Sequence, residues 1–275
     1  MKAISIALLA FGIGTGCSSG PPPIKPGSPA FFWAVAKESY RTGDLLKTDA
    51  TLSELGQTDT EFAAPARVWQ LVVSAGLTRG YSELANAYEA GSALNSANAL
   101  SFRRQASSLR SMASTTALEF TQGVHNMVDA DRNAAVLLAF GFAPGPSAAP
   151  EELAKVADGA WFPEPVRDVL LSTMLQRGVV LAASAAVGHP DDPVKALAVF
   201  QTAEVRIPRE TFLYNMARLL YQEADLFGPD GMDRQDRFIL MCRTAVETLQ
   251  SISNHDQSQA LAVEIQATLR QVGGI

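Results

Sequence analysis

The stretch DPVKALAVFQTAEVRIPRETFLYNMARLLY, residues 192–221, carries the pattern around which the rest of the chain is organised. Ala196, Phe200 and Ala203 reproduce the A-x-x-x-F spacing and small-residue seam of the second helix in a tetratricopeptide unit. Small side chains let a neighbouring helix approach closely, and the aromatic ring, one turn further on, fills the remaining gap. We expect Pro208 to end this helix.

The residues that follow continue the pattern into a second unit. Tyr214, Ala217 and Tyr221 fall where the next repeat's first helix carries its large, small and aromatic positions, if the period is about 34 residues. An A-x-x-x-F spacing also occurs in ordinary amphipathic helices, so a simple helical hairpin is the alternative interpretation. The proline and the tyrosine register together favour stacked helical hairpins.

Composition favours helices and limits what the chain can bind. The 275 residues are 47% hydrophobic, with alanine and leucine dominant, which suffices for a sizeable core and favours an all-α fold. The net charge of −6 argues against nucleic acid, which needs clustered basic residues; Arg103 and Arg104 are the one adjacent basic pair. We expect no mature segment to span a bilayer, because Gln176 and Arg177 interrupt the most apolar run, residues 169–187.

The amino terminus has the layout of a bacterial lipoprotein signal. Lys2 precedes an apolar run, residues 3–13, which has the length of a signal h-region and is too short to span a membrane. Small residues then lead to Cys17 and resemble a lipobox, although Gly14 stands where lipoboxes usually carry leucine. We therefore predict a signal peptide over residues 1–16 and lipid attachment at Cys17, with plain secretion as the alternative.

The next segment is predicted to be a tether. Residues 17–29 are mostly serine, glycine and proline, a composition typical of a semi-rigid extended spacer. By resemblance to Gram-negative sorting, Ser18 after the lipidated cysteine predicts the periplasmic face of the outer membrane. Cys242 would then have no partner, so we expect a small buried side chain there and no disulfide framework.

Residues 30–275 are predicted to form a single helical-repeat domain. Apolar residues recur at helical spacing, and glycine, proline or asparagine stands at the ends of the segments. Besides the helices of residues 192–221, we predict helices over 30–42, 44–55, 65–90, 98–122, 129–142, 150–159, 164–187, 232–252 and 256–272. The fold class that follows is an all-α, tetratricopeptide-like α-solenoid of antiparallel helical hairpins.

Several of these helical patterns resemble one protein family. They are Gly80-Tyr81-Ser82 with Ala85 and Tyr88, Arg103-Arg104 with Ala106, Leu109 and Ala113, residues 137–141, Lys195-Ala196 with Phe200 and Ala203, and residues 213–217 with Phe227. Over residues 66–249 this layout resembles the T-component lipoproteins associated with TRAP transporters. It departs from the family at Phe140, where a tryptophan-rich segment would be expected, and in the insertion-like residues 228–231.

The resemblance implies a periplasmic helical-repeat protein that associates with an extracytoplasmic solute-binding protein. It also implies a small apolar or organic-acid ligand, with homo-oligomerisation or an enclosed apolar path as further options. Stacked hairpins form a concave surface, and Tyr81, Tyr88, Tyr214 and Tyr221 are candidates to line it. Aromatic residues at helical spacing are also typical of the core, and that is the alternative for all four.

Catalytic motifs are not found in the sequence. His125, His189 and His255 lie far apart, and the predicted domain has no H-E-x-x-H pair, G-x-S-x-G elbow or P-loop. We therefore expect no enzyme activity, no cofactor and no metal site. Two alternatives to a transport-associated binding module stay open. One is a tetratricopeptide scaffold lipoprotein for outer-membrane or envelope assembly, and the other is a hydrolase, which perturbed carboxylates clustered in a deep pocket would favour.

Overall fold

The chain folds into α-helices that pack around one long central helix. The computed structural model describes residues 25–130, 135–201, 205–229, 231–252 and 256–273. The predicted signal peptide, Cys17 and most of the tether lie outside these residues, as do Ala203 and His255. Within them the elements are α1 Pro29–Thr42, α2 Leu45–Gly56, α3 Ala63–Leu94, α4 Ala99–Ala130, β1 Ala135–Leu138, α5 Glu151–Ala157, α6 Glu164–Ala186, α7 Pro193–Phe200, β2 Val205–Pro208, α8 Arg209–Ala224, a 3-10 turn Asp225–Phe227, α9 Gln235–Gln250 and α10 Asp256–Gln271.

Local sequence determines where the first two helices begin and end. The Ser28 hydroxyl accepts a hydrogen bond from the backbone N–H three residues on, and Pro29 occupies the first turn of α1. Asp44 caps α2 in the same way. Between the two helices Gly43 has a φ of +79°, a conformation that glycine adopts without strain. The first pair of helices therefore forms a tight hairpin, as the sequence predicts.

The central helix α3 packs against α2, α4, α5 and α6. A short turn joins it to α4, so the two form a long antiparallel hairpin. Trp69, Tyr88, Phe102 and Phe120 are fully buried between these elements. Because α3 is covered along most of its length, it holds the other helices in position and forms the rigid centre of the fold.

Glycines allow α3 and α6 to cross at backbone contact. A Cβ atom on Gly178 would overlap the carbonyl oxygen of Gly76, and one on Gly76 would overlap the backbone of Val179. By length and hydropathy alone α6 is apolar enough to span a membrane despite Gln176 and Arg177, so the expectation that it does not span one stays a prediction. However, 61% of its most apolar window is buried inside the protein, and its packing on α3 accounts for its composition.

Residues 135–142 do not form the helix predicted over 129–142; residues 131–134 lie outside the described part of the chain. The helix α4 continues to Ala130 instead, and β1 pairs antiparallel with β2. Val136 lies opposite Ile207 and both are buried, whereas alternate residues of each strand face outward. The helix prediction was wrong because a short apolar run suits a strand as well as a helix, and only the distant partner strand decides between them.

The expectation for Pro208 was also wrong. The helix α7 already ends at Phe200, and Pro208 is the last residue of β2, immediately before α8. A proline is tolerated at the end of an edge strand, where its missing N–H costs no ladder hydrogen bond. Phe200 is half-buried, and its ring packs on Phe140 and Phe142 at centroid distances of 5.6 and 5.5 Å.

The carboxyl-terminal helices continue the hairpin pattern. The helix α8 packs on α9, α9 packs on α10, and α9 also contacts α4. On α10, Ile265 and Leu269 are buried while most other positions are exposed, as expected of a terminal helix. The all-α prediction is confirmed, and the helices pack as a helical-repeat fold does. The superhelical course of a solenoid stays a prediction.

Candidate functional site

A groove of about 820 Å³ runs between α2 and α4, with one face of α3 as its floor. Val68, Leu71 and Ser74 lie along that face at helical spacing. Gly56 of α2 and Gly123 of α4 leave room at the walls because neither has a side chain. The volume lies within the range of about 300–1,000 Å³ that is typical of small-molecule sites.

The floor of the groove is apolar and its walls are more polar. The rim includes Leu118 of α4, which is 41% exposed, and the side-chain amides of Gln122 and Asn126. The hydroxyl of Ser74 donates to the Gln70 carbonyl at 2.9 Å, so this serine is bonded to its own helix. An apolar surface with a few polar groups around it is the usual character of a ligand site.

Asp129 lines the groove on α4, ten residues after Glu119. Two neighbouring carboxylates, Glu119 and Asp49, lie towards the other end: Glu119 belongs to the lining, and Asp49, which does not, is one helical turn before Ser53, which does. Oδ1 of Asp49 is buried and has no hydrogen-bond partner. In the part of the chain that the structure describes, no cationic side chain lies within ion-pair distance of either carboxylate.

The environment of these carboxylates favours their neutral forms. Burial, and after it the charge of Glu119, raises the pKa of Asp49 to about 7. Partial burial also raises the pKa of Glu119. Burial, and after it the Asp49 charge, raises the pKa of Tyr81. The end of the groove is therefore an acidic region without a positive partner.

A second, polar cleft of about 600 Å³ lies among α3, α6 and α8. Arg79 and Arg177 line it, and Glu83 accepts hydrogen bonds from both, from Arg79 Nε at 3.1 Å and from Arg177 Nη1. Arg79 Nη1 also lies 3.4 Å from Oε1 of the buried Glu223. The two arginines are already neutralised by carboxylates of the same chain, so this cleft is better described as an ion-pair network that joins helices.

The four candidate tyrosines lie apart from both cavities. Tyr88 is buried against Phe102 and Trp161, at ring-centroid distances of 5.7 and 6.1 Å, and Tyr81 is buried in the same core. Tyr214 and Tyr221 are half-buried on α8. None of these four residues, all of them in the described part of the chain, lines the groove or the polar cleft.

The remaining reactive group of the described residues is a buried thiol, Cys242. Burial raises the pKa of the Cys242 thiol to about 12, which leaves it protonated and unreactive at neutral pH. No group of three or more histidine, cysteine, aspartate or glutamate side chains lies together among the described residues. Asp49 and Glu119 are a pair beside a groove, which is less than the cluster that the hydrolase alternative requires. What the groove offers is an acidic and apolar binding surface.

Sequence reasoning did not single out either carboxylate. The buried positions on α2 are Leu45, Thr48, Thr51, Leu52 and Leu55. Asp49 borders this stripe, where an exposed side chain is the ordinary expectation. The approach of α4, which brings Glu119, could not be inferred from α2 alone. A charged residue next to an apolar stripe was the one available signal.

Comparisons of this chain with protein-family models, with curated proteins and with solved structures found no match. The resemblance to the T components of TRAP transporters, which was based on helical patterns, stays a prediction. The function is therefore argued from the groove and from the fold that supports it.

Proposed function

We propose that this chain is a lipid-anchored binding protein on the periplasmic face of the outer membrane, where it works beside a solute-binding protein of an uptake system. The observation that carries the proposal is the groove of about 820 Å³ between α2, α3 and α4. The resemblance to T-component lipoproteins and the lipobox-like sequence before Cys17 support the location and the partner.

The scaffold suits a preformed site. The helix α3 is held by α4 on one side and by the glycine crossing with α6 on another, so the floor of the groove is fixed before any ligand binds. A preorganised site avoids the entropy cost of ordering its own side chains when it binds. The exposed rim, including Leu118, leaves apolar surface for a partner or ligand to cover.

Site-specific photocrosslinking tests this proposal. A photoreactive amino acid replaces Leu118 at the rim of the groove in the full-length protein, expressed in its native host with the transporter present. The matched control carries the same group at Val194, which is 78% exposed on α7 and outside the groove. We expect a crosslinked solute-binding protein, identified by mass spectrometry, from position 118 and none from position 194.

Two other results would count against the proposal. A crosslink from position 118 to a component of the barrel-assembly machinery would favour the scaffold alternative. If position 118 gives no crosslink, or if both positions crosslink equally, the groove is not the surface that binds the partner. Gene neighbourhood gives an independent check, because an uptake role predicts adjacent genes for a solute-binding protein and a permease.

A further inference from the structure

We infer that the groove binds an organic amine with an apolar body, and that the ammonium group lies beside Glu119 and Asp49. The inference rests on the proposed function, because it names the ligand class of the same groove. It departs from the organic acid that the family resemblance implies. Three observations support the inference: the unpaired carboxylates of the groove, its apolar floor, and the ion pairs that already occupy the polar cleft.

The charge distribution is the first argument. Glu119 and the partly covered Asp49 are close enough to interact electrostatically, and neither has a cationic partner among the described residues. A carboxylate removed from water without a partner is costly, and a ligand cation would supply the missing partner. A ligand carboxylate in the same position would instead meet charge of its own sign.

The register of α3 and α4 separates this acidic end from the one arginine of the groove. Thr78 Oγ1 donates to Thr116 Oγ1 at 2.9 Å, which places Glu119 near the Ser74 end of the floor. Arg67 lies seven residues earlier on α3, about 10 Å away along the helix axis, and it donates to the Gly56 carbonyl at 2.9 Å. The acidic end is therefore free of that positive charge.

The length and apolar lining of the groove indicate that the body of the ligand is apolar. The floor from Ala64 to Ser74 extends over about 15 Å of helix, and Ala64, Val68 and Leu71 are its apolar lining residues. A ligand that follows this floor needs an apolar chain or ring system. Its polar group then reaches the carboxylates at one end.

The polar cleft is a weaker candidate for a charged ligand. Arg79 and Arg177 share Glu83, and Arg79 also pairs with Glu223. An acid that bound there would have to displace carboxylates already held by the fold. In the groove, by contrast, no described cationic side chain lies within ion-pair distance of Glu119.

The test compares three ligands that share one apolar body. The mature chain carrying Cys17→Ser, which needs no detergent, is titrated by calorimetry with octylammonium, octanol and octanoate below their micelle-forming concentrations. We expect octylammonium to bind at least about tenfold more tightly than octanol, and octanoate to bind most weakly. Added salt should reduce the advantage of octylammonium, because screening weakens exposed charge interactions.

Variants locate the effect. Glu119→Gln should lower the affinity for octylammonium about tenfold and leave octanol binding unchanged. Glu54→Gln is the matched control, because Glu54 is exposed on α2 and does not belong to the lining. Gln122→Trp, at an exposed position in the wall of the groove, should block all three ligands. Thermal unfolding of each variant checks that the fold is retained.

The inference is overturned if octanoate binds as well as octylammonium, or if Glu119→Gln and Glu54→Gln have the same effect. These outcomes can be separated from failure of the proposed function, since crosslinking from position 118 does not depend on ligand charge. If a solute-binding protein is crosslinked at position 118 but the titrations show no preference for the amine, the ligand class would be wrong and the proposed function would stand.

Discussion

At the scale of single residues, the unusual groups are carboxylic acids that the fold covers. Glu223 is fully buried, and burial raises its pKa to about 7 although Arg79 opposes the shift. Asp49 has no such partner, and one of its oxygens has no hydrogen bond at all. Such groups lower stability in their charged form, and carboxylates with a strongly raised pKa are candidates for functional sites.

The first prediction concerns Asp49→Asn. In the folded chain burial raises the pKa of Asp49 to about 7, whereas in the unfolded chain it titrates near its ordinary value of about 4. Between these values the folded state holds the extra proton, so the stability that Asp49 contributes is present at low pH and is lost as the pH rises through 7. We expect Asp49→Asn to raise the free energy of unfolding by about 2 kcal/mol at pH 8 and hardly to change it at pH 4.

Urea unfolding at the two pH values measures this difference. Asp59→Asn is the control, because Asp59 is exposed in the turn after α2, and it should have the same small effect at both. If Asp49→Asn changed stability equally at pH 4 and pH 8, the side chain would not be held in its neutral form by the fold.

At the scale of elements, the crossing of α3 and α6 gives the second prediction. Gly178→Ala would place a methyl group against the Gly76 carbonyl, and the two backbones would have to separate. We expect a loss of about 3 kcal/mol in the free energy of unfolding, as for other overpacked contacts. Alanine has the higher helix propensity, so a net loss can only come from the crossing.

The matched substitution is Gly141→Ala. Gly141 is exposed, and no atom lies within 4 Å of the position that a Cβ would occupy there. Chemical unfolding should show a change below about 0.5 kcal/mol for this variant. Equal losses for the two variants would mean that close packing at Gly178 is not what holds α6 on α3.

The helices could be predicted from sequence to a large extent because their signals are local. The spacing of Trp69, Leu77, Leu84 and Tyr88 shows the buried face of α3, and the caps at Ser28 and Asp44 act within one turn. The two-stranded sheet of β1 and β2 could not be predicted, since residues 135–138 become a strand only by pairing with residues 205–208. The helices depend on residues that are close in sequence, whereas the strand pairing depends on residues that are close only in space.

The site was harder to predict for the same reason. Tyr81 and Tyr88 were chosen for their helical spacing, and that spacing places both in the core. Asp49 and Glu119 belong to helices that are far apart in sequence, and only the packing of α2 and α4 on α3 brings them together. Pairs of this kind have no signature within a single helix.

At the scale of the whole molecule, the prediction concerns its attachment to the membrane. Cys17→Ser should move the protein from the membrane fraction to the soluble periplasmic fraction, because the acyl chains on that cysteine are the proposed anchor. Cell fractionation with immunoblotting follows the protein, and mass spectrometry of the mature amino terminus detects the lipid. A variant that stayed with the membrane would show that another part of the chain attaches it.

The pairing of β1 and β2 also has a consequence for the order of folding. Leu138 and Val205 are paired although about 70 residues separate them, and the whole of α5, α6 and α7 lies in between. Closing so long a loop costs more entropy than forming a hairpin between adjacent helices. Contacts between distant segments form slowly. We therefore expect the pairing of these two four-residue strands to be among the last contacts to form during folding, after the helical hairpins.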